Sequence, residues 1–382
     1  MIIIQILFCL FVFLILYSYL FYPVLLMILS KFWKKTKPNF TDVLPAVSMI
    51  ISAYNEEKVI QAKIDNCLAL DYPSDRLEII FASDGSDDRT NGIVRKFCGR
   101  GIVLYDYKQR RGKVNVLNET IGRAQNDIII FSDANTMFEP AAIKNLVRHF
   151  QNPNVGCVCG ALEFKSADKS KTGELEGVYW RYETLLKNLE GSRGCLLGAN
   201  GGIYALRKEL FFRCPADTIV EDFIIPMKIL QQGYKVIFET QARAVEEAAQ
   251  HIVQEKKRRI RIGAGDFQAL FMLLPMLSPL KGFSALAFWS HKVLRWFAPF
   301  FLIGAFIANL ALLAYPLFQF TFSVQTLFYV SAMIGQILSW SGVHNKFFNL
   351  CYYFVSMNLA LLLGFFRFLA GTQRVTWERT GR

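Results

Sequence analysis

The stretch "NDIIIFSDANTMFEP", residues 126–140, decides the fold. An unbroken apolar run ends on Asp133, an amide follows at Asn135, and Pro140 breaks what remains. A run of that length with no polar alternation has the look of a parallel strand covered on both faces. Three more runs share it: "VSMIISA" (47–53), "LEIIFAS" (77–83) and "GIVLYDY" (101–107), with "DIIIFSD" (127–133) as the fourth. Amphipathic segments alternate with them, the pattern of an α/β domain. Glu56 and Glu57 are expected to open one helix and Pro140 another, with Gly233 closing "MKILQQ". Open parallel sheets bind ligands beyond the carboxyl ends of their strands. There the sequence places "YNEE", "SDGSDD" and "SDAN", so three acidic or amide clusters are expected on one rim.

Outside this region the chain is apolar. Of its 382 residues 53% are hydrophobic, and mean hydropathy is positive, which a purely soluble protein does not need. Residues 1–29 carry no charge and exceed the roughly 20 residues of a membrane-spanning helix. No basic start or small-residue cleavage site marks them as a removable signal. Lys31, Lys34, Lys35 and Lys37 follow, which places the next segment on the cytoplasmic side. The expected organisation is a transmembrane helix (1–30), a cytoplasmic domain (45–265), interfacial helices (266–290), about three transmembrane helices (291–370) and a tail (371–382). The candidate spans are 293–315, 322–340 and 348–369. This count puts the arginine-bearing tail outside, against the positive-inside rule. Eight cysteines without CxxC spacing fit a reducing compartment, with Cys157 and Cys159 as packing residues of a strand. The net charge of +12 flanks apolar segments and meets no zinc-finger or helix-turn-helix spacing. Lipid headgroups and an anionic small substrate are therefore the expected partners, and nucleic acid is not.

Asp133 and Asn135 have two readings. They form a common turn, or they offer hard oxygens to Mg2+ or Mn2+, ions usually held by one or two carboxylates plus substrate phosphates. "SDGSDD" (83–88) is a turn or a contact to ribose, base or metal-bound water. Gly112-Lys113 is a diphosphate contact or an ordinary surface pair. "GANGGIYALR" (198–207) is at least a Gly-rich loop before a strand.

Taken in order, "SAYNEE", "SDGSDD", "RGKVNVLN", "SDAN", "GANGGIYALRKEL" and "VEDF" resemble the membrane-bound family 2 glycosyltransferases, the group of chitin, hyaluronan, cellulose and poly-N-acetylglucosamine synthases. The resemblance covers residues 45–265. It implies a GT-A nucleotide-sugar fold with a mostly parallel sheet, and metal-dependent inverting transfer from a UDP-sugar such as UDP-N-acetylglucosamine or UDP-glucose. By motif, Tyr54, Glu56 and Asp84 line the uridine pocket, Lys113 lies near the phosphates, and Asp133 with Asn135 holds Mg2+ or Mn2+. Asn135 stands where the family has a second Asp. Asp222 is the general base, with Glu221 beside it, although acids at a helix start have a structural use as well. Asn200 and Gly201 border the donor sugar and acceptor. In "RRIRIGAG" (258–265), Arg259 and Arg261 match arginines of the processive synthases that suit a departing diphosphate, while Arg258 replaces a Gln. Ile262 replaces a Trp and offers no stacking face for a sugar.

The expected activity is extension of a surface polysaccharide in the inner or plasma membrane. The alternative is a single transfer to a polyprenyl- or lipid-linked acceptor. A more distant reading is a catalytically silent nucleotide-binding membrane protein. A transporter is disfavoured because the spans hold almost no ionisable side chains, and Arg367 near one end is explained by snorkelling.

Overall fold

The computed structural model describes residues 1–33, 41, 43–165, 172–247, 252–341, 343 and 345–373. Lys34, Lys35 and Lys37, and the tail after Gln373, lie outside the described residues. The chain divides into two units: residues 33–167, 187–250 and 374–382, and residues 1–32, 168–186 and 251–373.

The first unit is built on one eight-stranded sheet. Its strands are β1 (Val47–Ala53), β2 (Leu77–Asp84), β3 (Ile102–Tyr107), β4 (Ile128–Asp133), β5 (Thr136–Phe138), β6 (Val155–Lys165), β7 (Tyr204–Arg207) and β8 (Lys235–Glu247), in the order β3-β2-β1-β4-β7-β6-β8-β5. The four apolar runs form β1 to β4, all parallel. Beyond β4 the sheet is mixed: β7 pairs antiparallel with β4 and β6, and β5 antiparallel with β8, while β6 and β8 are parallel.

Because side chains alternate along a strand, the unbroken apolar runs feed two layers. Met49, Ile51, Phe81 and Ile130 bury one face together with helices Ile60–Leu68 and Ala142–Val147. Ile50, Ile80, Ile129 and Phe131 are buried on the other face, and helix Lys113–Arg123 packs against β1 and β2. Each such side chain contributes roughly 1.5–3 kcal/mol by leaving water.

Two expected helix starts move. Glu56 and Glu57 precede their helix, which begins at Ile60 with Val59 as its cap; the turn that leads into it is closed by the Glu56 carbonyl, which accepts from Val59 and Ile60. Pro140 lies two residues before Ala142, with Ala141 as the cap. Gly233 does close its helix, at φ 94°, with its N–H on Leu230 and that of Tyr234 on Ile229.

In the other unit, Ile2–Ser30, Pro316–Trp340 and Lys346–Leu369 are long and apolar enough to cross a membrane. The expected span at 293–315 is instead a pair, Phe283–Trp296 and Ala298–Ala311, bent by 59° at Phe297. Almost no ionisable groups are expected in the spans, and the few in the bent pair include a buried, mutually bonded set. His291 and Arg295 are buried in the first half of that pair, where the Glu183 carboxylate accepts from Arg295 Nη1 at 2.5 Å and lies 3.2 Å from His291 Nε2. Arg295 also donates to Tyr182 Oη at 2.6 Å, and that hydroxyl donates to the Tyr19 carbonyl at 2.9 Å. Removing one partner of such a buried pair costs about 3–5 kcal/mol, because the other charge is left uncompensated. Helix Ile252–Met272 carries the arginine motif. Arg258 is exposed, while Arg259 and Arg261 are half-buried. The Arg259 guanidinium lies 5.1 Å over the Tyr353 ring, donates to its hydroxyl at 3.2 Å, and contacts Met357 Sδ.

Candidate active site

Register brings the three rim clusters level. Ala53 pairs with Ser83, and Ser52 with Asp133, so β1, β2 and β4 end side by side. The loops after β1 and β2 are cross-bonded. Asn55, at φ 54°, donates from its backbone to Ser86 Oγ (3.1 Å) and from its amide to Asp87 Oδ1 (2.5 Å), and Asp87 N–H returns a bond to Asn55 Oδ1 at 3.0 Å. Glu56 and Glu57 N–H donate to Thr90 Oγ1 (2.8 Å) and Asp88 Oδ2 (3.1 Å). Much of the acid in "SDGSDD" therefore shapes the rim itself.

Asp84 does the same for the loop before Lys113. Its carboxylate, 7% exposed, accepts from the N–H of Arg111 at 2.6 Å and of Gly112 at 2.8 Å. Gly85 is required here: at φ +70° an added Cβ would meet Arg110 N at 2.7 Å. The Arg110 guanidinium lies 3.9 Å over the ring of Tyr54. Tyr54, Glu56 and Asp84 thus share one rim, with Asp84 holding the loop that delivers Lys113.

Lys113 is the first residue of helix Lys113–Arg123, and its Nζ bridges Asp133 Oδ1 at 2.8 Å and Glu221 Oε1 at 3.2 Å. Burial works to lower its pKa, but Asp133, then Glu221 and Asp222, outweigh burial and hold it above the ordinary lysine value. Glu221 and Asp222 open helix Glu221–Gln231, where carboxylates meet the positive end of the helix dipole. Asp222 packs against Gly201, where an added Cβ would sit 2.9 Å from its Oδ2. Asp133, Lys113, Glu221, Asp222 and Gly201, from four separate stretches, therefore form one continuous cluster.

Asn200 is bound into the frame. Its Oδ1 accepts from Lys187 Nζ at 2.5 Å, its Nδ2 donates to the Gly160 carbonyl at 2.7 Å, and its N–H reaches Cys159 Sγ at 3.1 Å. Asn135 donates Nδ2 to Glu246 Oε1 at 2.6 Å, which assigns its nitrogen to β8 and leaves the carbonyl oxygen as its ligand-type atom. Arg258, Arg259 and Arg261 belong to the other unit and have the surroundings given above.

One residue at this rim escaped sequence reasoning. Lys63, in helix Ile60–Leu68, is fully buried and donates to Ser132 Oγ at 2.8 Å and to the Thr136 carbonyl. Burial lowers its pKa, an effect that Cys67 and Asp133 oppose. The signal was a lysine on the apolar stripe formed by Ile60, Ile64 and Cys67.

A mixed sheet of this order, with a carboxylate rim beyond its parallel strands, is the frame of a GT-A glycosyltransferase. Residues 48–211 match the family model described as Glycosyl transferase family 2, and the chain carries a glycosyltransferase domain of that family. Among similar proteins, a poly-β-1,6-N-acetyl-D-glucosamine synthase of Staphylococcus aureus (strain COL) is 26% identical over 243 residues, 61% of this chain and 58% of that protein. The same enzyme of Staphylococcus epidermidis is 26% identical over 273 residues, 66% and 65% of the two chains. The chain spans about three fifths of the length of these curated relatives. A solved mannosyltransferase from Pyrobaculum calidifontis, in complex with GDP-Man and Mn2+, superposes with a TM-score of 0.72 at 21% identity, over 96% of this chain and 99% of that one, and shares the fold.

Proposed function

We propose that this glycosyltransferase moves a sugar from a UDP-sugar to the end of a growing polysaccharide, with inversion and with Mg2+ or Mn2+, from a cytoplasmic domain tied to the inner or plasma membrane. The observation that carries the reading is the cluster around Lys113, which unites a candidate metal ligand with two candidate proton acceptors.

The donor set suits such an ion. Among the described residues no three His, Cys, Asp or Glu side chains gather as a ligand group. Asp133 and the Asn135 carbonyl oxygen offer two hard oxygens, and ions of this type complete their coordination with water and substrate phosphates. When bound, the ion supplies positive charge to the diphosphate leaving group. Asp222 takes the proton of the acceptor hydroxyl while that oxygen attacks the anomeric carbon from the face opposite the diphosphate. The bond from that carbon to the phosphate oxygen breaks, and UDP departs with the electron pair. Lys113 adds a fixed cation beside the same phosphates, and Glu221 orients it.

The staphylococcal relatives, named as polymer synthases, support a polysaccharide product. Ile262 favours a second reading, one sugar added to a polyprenyl-linked acceptor, because this position offers a sliding chain no aromatic face on which to stack. Purified protein with Mn2+ is expected to release UDP from a UDP-sugar, and Asp222→Asn to abolish release. Product length separates polymer from single addition, and GDP-mannose belongs in the donor panel because the mannosyltransferase was solved with it. Absence of turnover with every donor, or full activity in Asp222→Asn, overturns the reading.

A further inference from the structure

An ammonium group is seldom placed wholly inside a protein, because its removal from water costs several kcal/mol unless partners replace the lost hydration. Lys63 has no exposed surface, and its direct partners are neutral: Ser132 Oγ at 2.8 Å, the Thr136 carbonyl, and the ring of Phe138 at 4.7 Å. If filling space were its only task, a methionine would do it without the cost of a buried charge.

The two oxygen partners are informative by position. Ser132 and Thr136 stand immediately on either side of Asp133-Ala134-Asn135, the stretch that leaves β4 and enters β5. No glycine or proline sets the backbone of that stretch. Ser132 Oγ accepts from Lys63 and donates to the Asp133 carbonyl at 3.2 Å, so a chain of bonds runs from the ammonium into the backbone of Asp133 itself. On the far side, the bond to Thr136 holds the start of β5, which also carries the Asn135 side chain toward its partner Glu246.

We propose that Lys63 is a positioning residue whose ammonium staples Ser132 to Thr136 and thereby holds Asp133 and Asn135 in the arrangement that receives a divalent cation. The proposal rests on the metal-dependent reading above. It assigns Lys63 no contact with donor, acceptor or ion.

The test measures Mn2+ binding directly, by electron paramagnetic resonance of free Mn2+ in the presence of UDP, alongside the melting temperature. Lys63→Met is expected to weaken Mn2+ binding by about tenfold or more, the usual cost of losing a group that orients a metal ligand. Ser132→Ala is expected to weaken it less, and to add little in the Lys63→Met background, because both act through one chain of bonds. Asp133→Asn is the control that loses binding. Unchanged or tighter Mn2+ binding in Lys63→Met, with wild type binding normally, overturns the positioning role alone. Absence of Mn2+ binding by wild type with either UDP or GDP overturns the metal reading and this proposal with it. If Lys63→Met does not fold, Ser132→Ala decides: unchanged Mn2+ affinity in that variant overturns the staple.

Discussion

Gly201→Ala separates stability from function at this site. Gly201 is outside the left-handed region, so alanine carries no backbone penalty there. What its Cβ meets is Asp222: Oδ2 at 2.9 Å, with Cβ and Cγ at 3.4 and 3.5 Å. The gap between 2.9 Å and the 3.4 Å at which ordinary contact begins requires the carboxylate to retreat by about 0.5 Å. A carboxylate at the free end of a side chain makes that movement cheaply, so the melting temperature should stay within a few degrees of wild type. The same movement displaces the proposed base. Since a misplacement of about 1 Å costs on the order of 100-fold in rate, half of it predicts a loss of roughly tenfold in kcat. Binding of Mn2+ and UDP should be unaltered, because the three atoms nearest the new methyl group all belong to Asp222. Steady-state kinetics with saturating donor, and thermal melts of the same preparations, make the comparison. A variant with wild-type kcat refutes the placement of Asp222 as base, and a variant that melts far below wild type refutes the argument from a yielding side chain.

Two further outcomes follow from other contacts. Asn135→Asp replaces an amide donor 2.6 Å from Glu246 with a second carboxylate, and two acids at that distance resist joint ionisation. The variant should melt several degrees below wild type without metal and gain more from added Mn2+ than wild type does; equal metal-free melting would sink this. Glu239 accepts from Arg148 and His149, each at 2.7 Å, and from Gln241 N–H at 2.8 Å. Burial raises its pKa, but the bonds from His149 and Arg148 outweigh burial and bring it from 4.5 to about 2. A depressed carboxylate stabilises the fold above its unfolded pKa, and that contribution, at most about 3 kcal/mol, is lost as pH falls from 4.5 toward 2. Thermal melts across this range should fall more steeply for wild type than for Glu239→Gln, and parallel curves would contradict the assignment.

The parallel half of the sheet was legible because each strand is a continuous apolar run with a polar stop. Val47–Ala53 was bounded correctly and β2 to β4 within one residue. The mixed half was not, since β5 has three residues and β8, "KVIFETQARAVEE", alternates like a surface strand. Motif order located the rim residues, but it could not tell which acids are spent on the rim's own hydrogen bonds, as Asp84 and Asp88 are on backbone N–H groups and Asp87 is on the Asn55 amide. Nor does order along the chain bring Glu246 to Asn135, 111 positions apart. Lys63 was hidden because a lysine in an amphipathic helix is ordinarily solvated.

The 59° bend at Phe297 bears on parity. Counted as one crossing, the bent pair gives the described residues four passages through a bilayer and leaves the last of them, Gln373, opposite Lys31. A bend that steep also lets two short helices dip into a bilayer and return to the face they left. With three passages, Lys31 and Gln373 fall on one side, and the basic residues that follow each helix no longer oppose one another across the membrane.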